Sequence, residues 1–96
     1  MTKSDKFKMS YEQALAKDYK YMAVSIAIGD SEIPEIIVNH KDNFESKMRF
    51  YLSSYDENLI HKFAKDVQIR ISGVMFTNNL KEVEKLMGGI NNESGR

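Results

Sequence analysis

Val67-Gln68-Ile69-Arg70-Ile71-Ser72-Gly73-Val74-Met75 alternates along its length. Val67, Ile69, Ile71, Gly73 and Met75 fall on one side of an extended chain; Gln68, Arg70, Ser72 and Val74 fall on the other. A period of two is the mark of a half-buried β-strand. Tyr19–Ile28 repeats the pattern, with Lys20, Met22, Val24, Ile26 and Ile28 sharing one face and Tyr19, Tyr21, Ala23, Ser25 and Ala27 the other. Four of the first five are large and apolar, so that face is assigned to the core.

Between these runs lie the remaining elements. Gly29, Asp30 and Ser31 carry turn chemistry, and a strand from about Glu35 to Asn39 then makes an antiparallel hairpin. Pro34 cannot donate to a ladder and belongs at the start of that strand or on an open edge. Asp42 with Glu45 reads as a capping box, after which Phe44, Met48, Tyr51, Leu52 and Tyr55 recur at helical spacing. Asp56–Asp66 reads as a short strand or an irregular connection.

Outside the two runs, Ser10 with Gln13 forms another capping box and opens a short helix carrying Tyr11, Ala14 and Leu15. Asn78 or Asn79 caps a last helix with Leu80, Val83, Leu86 and Met87 as its stripe, and Gly88-Gly89 ends it. The expected fold is α+β: a small antiparallel sheet of three or four strands, with two or three helices packed mainly on one face. Residues 10–88 form the domain, with flexible tails at 1–9 and 89–96.

Ninety-six residues suffice for one modest core. With 42% hydrophobic and 29% charged residues, the composition is that of an ordinary globular domain. Fourteen basic residues balance fourteen acidic ones, and this neutrality speaks against a phosphate-driven nucleic-acid binder. The chain has no cysteine, which rules out disulfides, thiolate nucleophiles and cysteine-ligated zinc. Met1–Lys8 lacks the apolar core of a signal peptide, and no apolar run approaches the roughly 20 residues of a membrane span. A cytoplasmic location is expected, with no membrane partner.

Catalytic constellations are missing from the pattern. His40 and Asp42 stand at a strand-to-helix junction where a general base or metal ligand could sit, and a small hydrolase centred on them is one reading. Loop residue plus helix cap is the plainer one. No Gly-rich phosphate loop or nucleophile elbow is found. The expectation is therefore a non-enzymatic protein without cofactor or metal.

The sheet face away from the helices carries more information. Parity places Tyr19, Tyr21, Ser25, Ile37, Arg70, Ser72, Val74 and Phe76 there. Aromatic and Arg side chains suit binding surfaces. Three uses compete: a second small core under the first or last helix, a self-association surface making a homo-oligomer, or a pocket where Tyr stacks on a nucleotide-like ligand and Arg70 meets phosphate. Tyr19, Tyr21, Ser25, Arg70, Ser72 and Phe76 are the candidate binding residues. The four methionines Met22, Met48, Met75 and Met87 read as adaptable core filler.

The block Ile36-Ile37-Val38-Asn39-His40-Lys41-Asp42-Asn43-Phe44, running into Lys47, Tyr51, Tyr55 and Asp56-Glu57-Asn58-Leu59, resembles the small accessory proteins carried by phages and prophages of Gram-positive bacteria. The short, cysteine-free, Lys/Asn/Glu-rich chain is similar to them in texture. The resemblance covers about a quarter of the chain and carries no functional residue across. It implies a role class only: a binding protein in the host cytoplasm that blocks a host factor or sequesters a ligand. An anti-defence protein capturing a cyclic-nucleotide immune signal is one form of it.

Overall fold

Three antiparallel strands in the order β2-β1-β3 form the sheet of the computed structural model, which describes the backbone of residues 1–91 and side chains through Leu86. β1 spans Tyr21–Ile28, β2 Glu35–His40 and β3 Ile69–Thr77. Helix α1 covers Lys3–Lys17 and α2 Phe44–Ser54; a 3-10 turn at Lys41–Asn43 precedes α2, and a 3-10 helix at Leu80–Asn91 follows β3. The fold is α+β, as the alternating runs and the helical stripe require.

α1 and α2 pack on one face of the sheet. Met22, Val24 and Ile26 of β1 are buried there beneath Phe7 of α1 and Phe44, Met48 and Tyr51 of α2. Rings lock the layers together: Phe7 meets Tyr51 at 5.9 Å, and Phe76 meets Phe44 edge-on at 5.6 Å. Such pairs add about 1 kcal/mol each beyond the area they bury.

The inward assignment for β1 holds, but β3 departs from strict alternation. Its register against β1 slips between Ser25 and Ile26, so that Ile71 faces Ile26 and Gly73 faces Ser25 while Ser72 is extra. This β-bulge reverses parity halfway along the strand. Ile69 and Ile71 face the helices before it, and Val74 and Phe76 face them after it. Val74 and Phe76 are therefore core-side residues, not members of the outer face. Ile37 pairs with Val24 and also packs on the core, which corrects its outer placement.

The other face is covered at its centre. A methyl group on Gly73 would stand 3.2 Å from Leu86 Cδ2, because the 3-10 helix folds back over β3 and β1. Ala23 and Ser25 consequently have 0% and 2% exposure, although they face away from α1 and α2. Of the three uses weighed for this face, a cover supplied by the last helix is the one found.

Several boundaries differ from the sequence reading. α1 begins at Lys3, so residues 3–9 are helical and not a flexible tail. Its capping box is Thr2 with Asp5, each side chain accepting the other's backbone N–H at 3.0–3.1 Å, in place of Ser10 with Gln13. Phe7, Tyr11 and Ala14 form its inward stripe, whereas Leu15 is 55% exposed. Asp42 does not cap α2; the N-cap is Asn43, without a side-chain bond. The last helix runs on through Gly88 and Gly89 to Asn91, so its end is not at the glycine pair. Met87 as a stripe residue and the tail at 92–96 lie outside the described side chains and residues.

Residues 55–61 form a tight return. Asp56 Oδ1 accepts the N–H of Asn58 and Ile60, and Leu59 takes a φ of 62° to close the turn. Leu59–His61 then runs beside β3: Ile71 N–H donates to Leu59 O at 2.9 Å, and His61 N–H to Ile69 O at 2.7 Å. This stub covers the start of β3's outer edge and stops at Ile71.

Candidate anion-binding cleft

A cleft of 350 Å³ opens where the stub ends, between the first turns of α1 and the bulged part of β3. The helix contributes Lys3, Lys6, Phe7 and Ser10, which recur at helical spacing and so line one side. β3 contributes Arg70, Ser72, Gly73 and Val74, and Leu59 closes the end. Every charged side chain in the lining is basic. None of Lys3, Lys6 or Arg70 has an ion-pair partner among the described residues.

The first amides of α1 are already committed. Ser4 N–H donates to Glu57 O, Asp5 N–H to Thr2 Oγ1 and Lys6 N–H to Thr2 O. An anion in the cleft would be held by side chains, with the positive end of the helix dipole adding background potential. Ladder geometry supplies one backbone donor. Ile71, opposite Ile26, turns its N–H outward to Leu59, so Val74, opposite Val24 at the next non-hydrogen-bonded pair along β1, also turns its N–H away from the sheet.

The bulge fixes the cleft floor. Ser25 and Ser72 hydroxyls lie 2.9 Å apart, and Ser72 also donates to the Ser25 carbonyl at 3.2 Å. Ser25 is thus a buried anchor, while Ser72 and Arg70 reach the cleft. The other candidates from the sequence lie elsewhere. Tyr21 stands at the far end of the sheet, edge-on to His40 at 5.7 Å. Tyr19 precedes β1, its N–H bonded to Ala14 O. Phe76 is on the core side between Tyr11 and Phe44. Lys3 and Lys6 escape the sequence reading as members of this site because residues 1–9 read as a tail, and Ser10 escapes it because it reads as the cap of a helix that starts there.

His40 and Asp42 do meet, Nδ1 to Oδ2 at 3.3 Å. His40 Nδ1 also accepts the Asp42 backbone N–H at 3.2 Å and caps the 3-10 turn. Among the described residues, no cluster of three or more His, Asp or Glu is placed to hold a metal ion. No described helix is long and apolar enough to cross a membrane. Comparison with protein-family models, curated proteins and solved structures finds no significant match to this chain.

Proposed function

We propose that this is a non-enzymatic binding protein that retains a small phosphate-bearing ligand, of nucleotide type, in the cleft between α1 and β3. The observation that carries the reading is the convergence of Lys3, Lys6 and Arg70 on one concave site whose lining contains no carboxylate. Three unneutralised cations around a cleft raise the local anion concentration and form charge-assisted hydrogen bonds with phosphate. Ser10, Ser72 and the Val74 amide add neutral donors, and Phe7, Leu59, Ile71 and Val74 supply apolar walls. Its 350 Å³ is in the range of small-ligand pockets. Retention without turnover fits the sequestering role that the resemblance to phage accessory proteins implies, and a cyclic nucleotide is one ligand of the required chemistry.

Calorimetric titration with linear and cyclic nucleotides, and with orthophosphate and pyrophosphate, tests the reading. Binding of at least one nucleotide should weaken about tenfold in Lys6→Ala and in Arg70→Ala, since one charge-assisted bond is worth about 1.5 kcal/mol or more. Lys17→Ala, at the other end of α1, should leave it unchanged. Absence of heat with every compound, or binding indifferent to both cleft variants, overturns it.

A further inference from the structure

We propose that the cleft between α1 and β3 recognises two linked phosphates and is indifferent to the base, so that its ligands are nucleoside diphosphates and diphosphate itself. The inference rests on the cleft being the ligand site and extends to what that site reads. Its cations come from facing walls. Lys3 and Lys6 stand one turn apart on α1, roughly 5–6 Å between Cβ atoms, and Arg70 reaches in from β3. The planar fork of Arg70 holds two oxygens of one phosphate, which leaves the lysines of the other wall to the phosphate next to it. At neutral pH a terminal phosphate carries about two negative charges, and a linked inner phosphate adds about one more. Lys3, Lys6 and Arg70, with no carboxylate in the lining, therefore match a diphosphate in charge. A monophosphate or a cyclic phosphodiester leaves part of that positive charge uncompensated.

The same lining offers a base little to hold. Its one aromatic residue, Phe7, is 3% exposed with its ring packed on Tyr51 in the core, so no aromatic face is free for stacking. Base edges are otherwise read by hydrogen bonds, most selectively from Asn, Gln, Asp, Glu or a bidentate Arg. None of the first four lines the cleft, and Arg70 is taken up by phosphate. The volume of 350 Å³ stands at the low end of the small-ligand range, which suits the compact anionic end of a nucleotide better than the whole. The base projects into solvent, and exchanging one base for another changes no contact.

Calorimetry on the full chain, at fixed ionic strength and without divalent metal, tests both parts with AMP, ADP, GDP, CDP, UDP and pyrophosphate as probes. ADP should bind at least about fivefold tighter than AMP, and the other diphosphates and pyrophosphate should stay within about fivefold of ADP. Lys3 and Lys6 are exposed helix positions where alanine preserves the helix, so their joint replacement keeps the fold. The Lys3→Ala/Lys6→Ala variant should weaken ADP more than AMP, because Arg70 still holds one phosphate. An ADP advantage below that margin, or a spread among the diphosphates above it, overturns this inference and leaves the cleft as a ligand site. So does an advantage that the double variant leaves unchanged. No heat with any of these compounds removes the cleft reading itself.

Discussion

Ser25 Oγ and Ser72 Oγ lie 2.9 Å apart across the one slip in the β1–β3 ladder. With Ser72 also donating to the Ser25 carbonyl, the extra residue is tied to the centre of the sheet. Its effect is to let odd-numbered Ile69 and Ile71 share a core face with even-numbered Val74 and Phe76. Ser72 acts as a spacer, and the same insertion shapes the floor of the basic cleft.

Deletion of Ser72 should accordingly be tolerated by the fold. The strand would become regular, with Ile69, Ile71, Val74 and Phe76 still facing the helices. Urea denaturation should show a stability change within about 1 kcal/mol, the scale of the lost hydroxyl bonds. Deletion of Val74 also removes the extra residue and keeps Phe76 against Phe44 and Tyr11, but it brings Gly73 to the inward place of Val74 and loses that side chain's packing, and should cost about 2 kcal/mol or more. Equal penalties for the two deletions would refute the spacer role.

Tyr51 carries a buried hydroxyl with no partner among the described residues, and desolvation raises its pKa from 10.0 to about 12, with Tyr55 a lesser cause. Tyr55 is shifted upward too, by burial first and the Glu35 carboxylate second. Below pH 10 the Tyr51 proton is bound in both states and has no effect on stability. Between pH 10 and about 12 the unfolded chain releases it while the native chain holds it. Stability therefore falls as pH rises through this window, with a slope of up to about 1.4 kcal/mol per unit from Tyr51. Tyr51→Phe should flatten that loss in alkaline denaturation, and at pH 7 should be neutral or stabilising by about 1 kcal/mol.

Gly29 closes the β1–β2 turn with a φ of 54°, while its N–H donates to Gln68 O at 2.8 Å. A methyl group there would stand 2.5 Å from Val67 Cγ2. Gly29→Ala combines left-handed backbone strain with this clash, and should destabilise by about 1–2 kcal/mol. Adding Val67→Ala should recover the steric part and leave about 1 kcal/mol of backbone strain. Thermal denaturation of the single and double variants measures both.

Much of this architecture is legible in the sequence where one period governs one element. Met22, Val24 and Ile26 declare the inward face of β1, and Phe44, Met48, Tyr51 and Tyr55 that of α2. What escapes is what periodicity does not encode. The bulge conceals the inward turn of Val74 and Phe76, since a single inserted residue looks like continued alternation. α1 has only one inward residue per turn through Phe7, Tyr11 and Ala14, so its first half reads as a polar tail. The candidate site is legible by half: Arg70 and Ser72 stand on a recognisable strand, but the lysines that join them come from more than 60 positions away.

The start of α1 decides whether those lysines are held in place. Lys3 and Lys6 belong to its first turns, and the Thr2–Asp5 capping box fixes where the helix begins. The Thr2 backbone N–H first, and its hydroxyl second, hold the Asp5 carboxyl below its ordinary value of 3.8. A depressed folded-state value means that this contribution to helix stability is complete above 3.8 and is lost as pH falls below it. The protection of the Asp5, Lys6 and Phe7 amides, relative to their intrinsic exchange at each pH, should therefore fall under acid before that of the body of the helix does. Thr2→Ala should produce the same fraying at neutral pH, since losing an N-cap side chain exposes the first-turn amides. If the cleft is the ligand site, that variant weakens phosphate-bearing ligands although Thr2 is not part of its lining. Undiminished binding in a visibly frayed helix would show that Lys3 and Lys6 do not hold the ligand.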